Sequence, residues 1–152
     1  MADEKKLIEG LQAIVTGLSQ QADGHAIQSK IFEAQGFSKL GEKYAEHAEE
    51  ERGYIDKCID RILDLGGEVK NEAKPEAPVY TDVTQWIKYD LEVSKQGLAW
   101  LKTIVELARD DYTTFDILKE YYQDEEEDMY WGEQQLELIE KIGLQNWLNQ
   151  QL

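Results

Sequence analysis

Apolar positions recur at intervals of three and four residues over most of the chain, a spacing that places side chains on one face of a helix. The first such segment extends from about Asp3 to Gln35. Its apolar face consists of Leu7, Leu11, Ile14 and Leu18. Gly36 is expected to end this helix, and Ser38 to cap a second helix from about Lys39 to Leu65.

The second half of the chain repeats this arrangement. Residues 68–80 contain both prolines and no periodicity, so we expect an extended connection there. A third helix is predicted from about Asp82 to Arg109, starting near Thr81. A fourth, with Thr113 as its cap, ends at Gly143, and the tail from Leu144 to Leu152 predicts a short fifth helix.

The lengths of the links predict how the helices are arranged. Short links join the first helix to the second and the third to the fourth, which predicts two antiparallel hairpins. The longer link between them can travel the length of a helix. We therefore predict one all-α domain over residues 1–152, a four-helix bundle with a long crossover and a short C-terminal helix.

Polar residues interrupt the faces that should form the core. His47, Glu51 and Tyr54 lie on the inner face of the second helix, and Ser94 on that of the third. Glu125, with Asp128 one turn later, lies on that of the fourth. Buried carboxylates are costly without compensation. Two interpretations follow: a protonated, hydrogen-bonded polar layer, or a metal site, since carboxylates and imidazoles are ligands of divalent ions.

Three glycines of the first helix recur every seven residues, each directly before a position on the buried face. The pairs are Gly10-Leu11, Gly17-Leu18 and Gly24-His25. His25 therefore takes a core position. A glycine inside a helix costs about 1 kcal/mol relative to alanine. The pattern predicts either close approach of a neighbouring helix or free space inside the bundle.

Composition excludes several classes of partner. The net charge of −16 argues against nucleic acid and against anionic membranes, and it permits cations. No apolar stretch is long enough to span a bilayer, and none follows the N-terminus as in a signal peptide. Cys58 is the only cysteine, so no internal disulfide can form. A cytoplasmic location is expected.

Three stretches of the sequence resemble the bacterioferritins and the related mini-ferritins that protect DNA. Residues 44–67 resemble their second helix, and residues 111–116 the start of their fourth helix. Residues 137–148 resemble the end of the fourth helix and the short fifth helix. The resemblance implies a ferritin-like fold, iron as the bound metal, and a homo-oligomeric cage (a 24-mer or a 12-mer). It also implies that Trp147 and Leu148 are buried against neighbouring subunits.

Such proteins hold two irons with a Glu from each of two helices and a Glu-x-x-His pair from each of the other two. The resemblance places Glu51 and Glu125 at the Glu of these pairs, with Tyr54 and Asp128 where the histidines belong. Leu18 falls at the first-helix Glu position. Ser94 falls at the third-helix position; a shift of two residues offers Glu92 instead, but it turns Gln85, Gln96 and Glu106 inward.

We therefore predict a remodelled metal site formed by Glu51, Glu125, Asp128 and His47, with His25 farther along the same channel. Iron is the expected metal, and another divalent ion is the alternative. No haem is expected, because Arg52 stands where the haem-binding methionine of bacterioferritins would be.

Three functions remain open. The first is iron binding and storage with oxidation of Fe(II), as in a ferroxidase. The second is a ferritin-like structural or interaction subunit that has lost the ferroxidase centre. The third is a different metalloenzyme on the same bundle. Glu46 and Glu50 share a flank of the second helix that would face the inside of a cage, or form an ordinary solvated surface.

Overall fold

The computed structural model describes the backbone of residues 2–152 and the side chains from Glu4 onward. It contains five helices and, over the described residues, no strand. Their bounds are Ala2–Ala34 (α1), Ser38–Asp64 (α2), Val83–Leu107 (α3), Tyr112–Ile142 (α4) and Leu144–Asn149 (α5). The predicted all-α bundle of four long helices with a short fifth helix is confirmed. No helix in the described range is long and apolar enough to cross a membrane.

Aspartates start α3 and α4. The carboxylates of Asp82 and Asp111 accept hydrogen bonds from the backbone N–H groups of Gln85 (3.0 Å) and Thr114 (3.1 Å). The prediction of Thr113 as a cap was therefore wrong, because Asp111 takes that role two residues earlier. Ser38 is not a cap either: it is the first residue of α2, and the residue before it makes no capping hydrogen bond.

The helices pair as two hairpins, α1 with α2 and α3 with α4, and α1 also contacts α3 while α2 contacts α4. Glutamines of α1 hold the crossover between the hairpins. The side-chain amide of Gln12 donates to the carbonyl of Lys70 (3.0 Å) and accepts from its N–H (2.8 Å). Gln28 does the same with Tyr80, at 2.9 and 2.8 Å. These paired bonds satisfy backbone groups that a loop would otherwise leave to water.

The apolar core consists of two clusters, one toward each end of the bundle. The first includes Leu11, Leu18, Cys58, Leu101 and Leu118, all buried. The second is rich in aromatic residues. Its buried members include Phe32, Leu40, Tyr44, Trp86 and Trp147. The polar positions of α1 and α2 fall between these clusters along the helices.

The C-terminal tail packs against its own bundle, contrary to the expectation from the sequence. Trp147 is 0% exposed within its own chain, and its indole N–H donates to the side-chain carbonyl of Gln135 at 2.9 Å. Leu148 packs against the same aromatic cluster. The expectation that both residues are buried on neighbouring subunits was wrong. Gly143, at φ +86°, lets the chain turn so that α5 folds back on its own bundle.

Both interpretations of the α1 glycines hold, at different positions. A Cβ atom at Gly10 would lie 2.9 Å from Cγ2 of Ile104, so α1 and α3 approach closely there. A Cβ atom at Gly17 or Gly24 would meet nothing within 4 Å. Those two glycines therefore border free space.

Candidate metal centre

Six ionisable side chains from all four long helices converge between the two apolar clusters. This polar cluster comprises His25 of α1, His47 and Glu51 of α2, Asp90 of α3, and Glu125 and Asp128 of α4. The members from α1, α2 and α4 occupy positions that the three-four periodicity turns inward, and Asp90 lies beside the inner face of α3. Four carboxylates and two imidazoles thus share one region of the bundle interior.

His25 bridges two carboxylates at the centre of the polar cluster. Its Nδ1 lies 2.5 Å from Oε1 of Glu51, and its Nε2 lies 2.8 Å from Oδ1 of Asp90. Burial alone would lower the pKa of His25, but the charges and hydrogen bonds of Asp90 and Glu51 raise it well above its usual value. The imidazolium donates from both nitrogens. His25 is therefore a member of the site rather than a residue farther along a channel.

His47 is in the opposite electrostatic state. Burial, together with the positive charges of His25 and Lys43, lowers its pKa to about 3. Its Nε2 lies 3.5 Å from Oδ1 of Asp128 and has no hydrogen-bond partner among the residues that the structure describes. A neutral imidazole keeps a lone pair on one ring nitrogen, which is the form that binds metals. His25, His47 and Asp90 each offer a ligand atom, and these atoms lie within 4.8 Å of one another.

The carboxylates outnumber the single cation among them. Burial raises the pKa of Glu125 well above its usual value, with Glu51 and Asp128 adding repulsion. Burial also raises the pKa of Asp128 to about 7, aided by Glu50 and Glu51. Glu51 is only 4% exposed, and burial raises its pKa despite the contact with His25. Protons or a bound cation must offset this excess of negative charge.

The four residues predicted from the sequence are all present in this cluster, although their pairing differs. His47 faces Asp128 as expected, whereas Glu51 contacts His25. The structure also rejects the alternative register of α3, because Glu92 is exposed and bonds to the exposed Gln96. None of these contacts tests metal binding, so the ligand set stays a prediction.

Asp90 is the member that sequence reasoning missed. It lies three residues after the buried Ile87 and four before Ser94, a spacing that puts it beside the inner face of α3. It does not fall on the heptad positions themselves, which is why it was overlooked. Leu18, which the resemblance predicts to stand at a ligand position, packs in the apolar core.

Two neighbouring residues point away from the polar cluster. The hydroxyl of Tyr54 donates to Asp124, outside the six residues. The guanidinium of Arg52 is exposed and donates to Asp23 at 2.7 Å. Neither side chain compensates the buried carboxylates.

Aromatic rings surround the two imidazoles. The ring centroid of His25 lies 5.8 Å from that of Tyr44 and 5.9 Å from that of Trp86. His47 lies 5.4 Å from Tyr44 and 5.9 Å from Trp131. These rings fix the orientation of the imidazoles and keep bulk water from this end of the cluster.

The chain is similar to known proteins over most or all of its length. A family model described as a ferritin-like domain matches residues 8–142. A protein named bacterial ferritin from Neisseria meningitidis serogroup B is 34% identical over 155 aligned residues, covering 100% of both chains. Its namesake from Pseudomonas aeruginosa is 35% identical with the same coverage. A bacterioferritin from Streptomyces coelicolor is 26% identical, and the alignment covers 94% of this chain and 87% of the bacterioferritin.

Proposed function

The chain belongs to the ferritin-like family, and from that premise we propose that it binds ferrous iron in its polar cluster and takes part in iron storage. The observation that supports this most strongly is the convergence of four carboxylates and an uncharged histidine in the bundle interior. The relatives named bacterial ferritin are similar over their full length, so the comparison covers the whole bundle.

We propose Glu51, Glu125, Asp128 and His47 as ligands, joined by Asp90. His25 can also bind the metal through a ring nitrogen once that nitrogen has lost its proton. Carboxylate oxygens and imidazole nitrogens suit ferrous iron and similar divalent ions. A bound dication would neutralise two of the carboxylates whose pKa values burial raises. The energetic benefit of binding therefore comes largely from relieving repulsion that the fold already contains.

Oxidation of Fe(II) at this site is the finer proposal. Only Glu51 and Glu125 remain from the ligand set that the resemblance implies, and Leu18 and Ser94 offer no carboxylate. We expect one firmly bound ion, or an unequal pair, and oxidation slower than that of a complete di-iron centre.

The remaining proposals concern the assembled protein. We propose a single domain over residues 1–152 that forms a homo-oligomeric cage in the cytoplasm and carries no haem. Sedimentation velocity at micromolar concentration should give a species of many subunits, whereas a monomer or dimer would contradict the cage. The haem prediction rests on Arg52, whose guanidinium cannot replace a thioether ligand. A Soret absorption band that persists through gel filtration would contradict it.

A second candidate function is a ferritin-like subunit without an active metal centre. One observation favours it: His25 already supplies a positive charge between Glu51 and Asp90. In that case protons, rather than a metal ion, would offset the negative charge of the polar cluster.

Metal-dependent stability separates these two functions. We expect Fe(II) under anaerobic conditions, or Zn(II), to raise the melting temperature of the parent protein but not that of a variant carrying Glu51→Gln and Glu125→Gln. Glu92→Gln with Glu137→Gln is the matched control, since it removes the same charge from exposed positions. If metal raises the melting temperature of the parent no more than that of the double variant, the proposed site does not exist.

A further inference from the structure

A cavity of about 240 Å³ lies between α1, α3 and the crossover, and reaches the polar cluster from one side. Its walls include the bare backbone at Gly24, the rings of Trp86 and Tyr89, and Pro78 of the crossover. His25 belongs to its lining, together with Asp90. The cavity therefore connects the α1–α3 side of the molecule with two members of the polar cluster.

The sequence keeps this space open. The seven-residue repeat of α1 places glycine at positions 17 and 24, and a Cβ atom at either would meet nothing within 4 Å. The crossover cannot collapse into the gap, because Gln20 bonds to the carbonyl of Pro75 and Gln28 pairs with the backbone of Tyr80. Two glycines that cost helix stability and a fixed crossover together preserve the cavity.

The two sides of the polar cluster differ in charge. On the α2–α4 side, the pKa of Glu50 is raised, mainly by burial. Repulsion from the nearby carboxylates of Asp124, Glu46 and Glu127 raises it further. The cavity on the α1–α3 side offers mostly apolar surface, and Asp90 is the one carboxylate in its described lining. An acidic surface attracts cations, whereas an apolar cavity admits small neutral molecules. Cations and a neutral co-substrate would thus arrive from opposite sides.

We propose that this cavity is the binding site and entry route for dioxygen, the oxidant of the bound ferrous iron. The inference rests on the proposed function. Each ferrous ion gives up one electron to become ferric. Two such electrons and two protons reduce one dioxygen to hydrogen peroxide, so the reaction needs no further reductant. Dioxygen is small, neutral and apolar, which matches the walls formed by Trp86, Pro78 and Val93.

The test fills the cavity and leaves every residue of the polar cluster unchanged. Gly24→Leu places a side chain in the open space, and Gly53→Leu is the matched control because Gly53 is an exposed helical glycine with nothing within 4 Å of its Cβ position. Three quantities are measured for both variants and the parent. They are xenon occupancy in crystals under pressure, anaerobic binding of Fe(II) by titration, and the rate of Fe(III) formation after mixing with aerated buffer.

We expect xenon in the cavity of the parent and of Gly53→Leu, but not in that of Gly24→Leu, since apolar cavities bind xenon. Anaerobic Fe(II) binding should be equal in all three proteins. Oxidation should be slowed by roughly tenfold in Gly24→Leu alone, which corresponds to about 1.4 kcal/mol of barrier.

Two results would overturn the inference: a parent cavity without xenon, or equal oxidation rates in the two variants when both bind Fe(II) equally. Failure of the proposed function looks different. In that case the parent itself would bind no Fe(II) at the polar cluster under anaerobic conditions, whatever the xenon result.

Discussion

Removing the imidazolium of His25 should destabilise the metal-free protein in a pH-dependent manner. His25→Phe keeps an aromatic ring between Tyr44 and Trp86 but removes both nitrogens, which lie 2.5 Å from Glu51 and 2.8 Å from Asp90. The two carboxylates would then lie in the bundle interior without their cation.

The size of the effect follows from burial. Breaking a buried ion pair by removing one partner costs about 3–5 kcal/mol. The side chain of Glu51 is 5% exposed and that of Asp90 is 19% exposed, so water can reach Asp90 and the lower end of that range applies. A loss of about 3 kcal/mol in a chain of this length lowers the melting temperature by roughly 6–12 °C.

The pH dependence has two parts, one from Glu51 and one from His25 itself. Burial raises the pKa of Glu51, and loss of the His25 charge would raise it further. A carboxyl group with a raised pKa favours folding at low pH, and that contribution is lost as the pH rises through the raised pKa. The deficit of His25→Phe should therefore be small near pH 5 and increase toward pH 6.5, the ordinary pKa of a histidine. Above pH 6.5 the deficit stops growing, because the parent also loses stability there: the raised pKa of His25 favours folding fully only below that pH.

The assay is thermal unfolding of chelator-treated protein at fixed concentration, at pH 5 and pH 6.5, for the parent and His25→Phe. Adding Glu51→Gln to the variant removes one uncompensated charge and should recover part of the loss. An equal melting temperature at pH 6.5 would refute the claim that His25 compensates these carboxylates. A deficit that is the same at both pH values would show that the loss comes from packing.

Three further predictions use the same measurement. The metal-free parent should lose stability as the pH rises through about 7, because that is the raised pKa of Asp128. Asp128→Asn should lose less, and equal slopes of melting temperature against pH in the two proteins would contradict this. Gly10→Ala should lower the melting temperature, because overpacking against Ile104 costs about 1–3 kcal/mol and the better helix propensity of alanine offsets at most about 1 kcal/mol of it. Gly24→Ala meets no such contact, so the same gain in propensity should stabilise the fold by up to about 1 kcal/mol and raise the melting temperature. Trp147→Ala should cost about 3–5 kcal/mol, and a loss confined to assembly with the melting temperature unchanged would contradict its burial within one chain.

The helical bundle could be predicted because periodicity alone specifies which faces are buried. On α2, the inward positions from Leu40 to Ile62 were predicted in register, including the polar members His47 and Glu51. The glycines and the two prolines marked the ends of the helices and the crossover. The exact helix starts were less predictable, since Asp111 and Thr113 are both good capping residues and only geometry selects one.

The pairing within the polar cluster could not be predicted. Periodicity places His25 and Glu51 on inner faces, but the contact between them depends on the relative rotation of α1 and α2. Asp90 lies beside the inner face of α3 and reaches the cluster only because His25 extends toward it. Burial of Trp147 posed a related difficulty. The sequence indicates that this apolar side chain is covered, but not whether its own chain or a neighbouring subunit covers it.

We propose that ferrous iron binds among the six side chains of the polar cluster. The most direct test is a crystal of the protein soaked anaerobically with Fe(II) and measured on both sides of the iron absorption edge. We expect an anomalous peak within bonding distance of Glu51, Glu125 or Asp128 and of a histidine nitrogen, and no such peak after Glu51→Gln with Glu125→Gln. Iron found only on exposed carboxylates, with His25 still bridging Glu51 and Asp90, would contradict it.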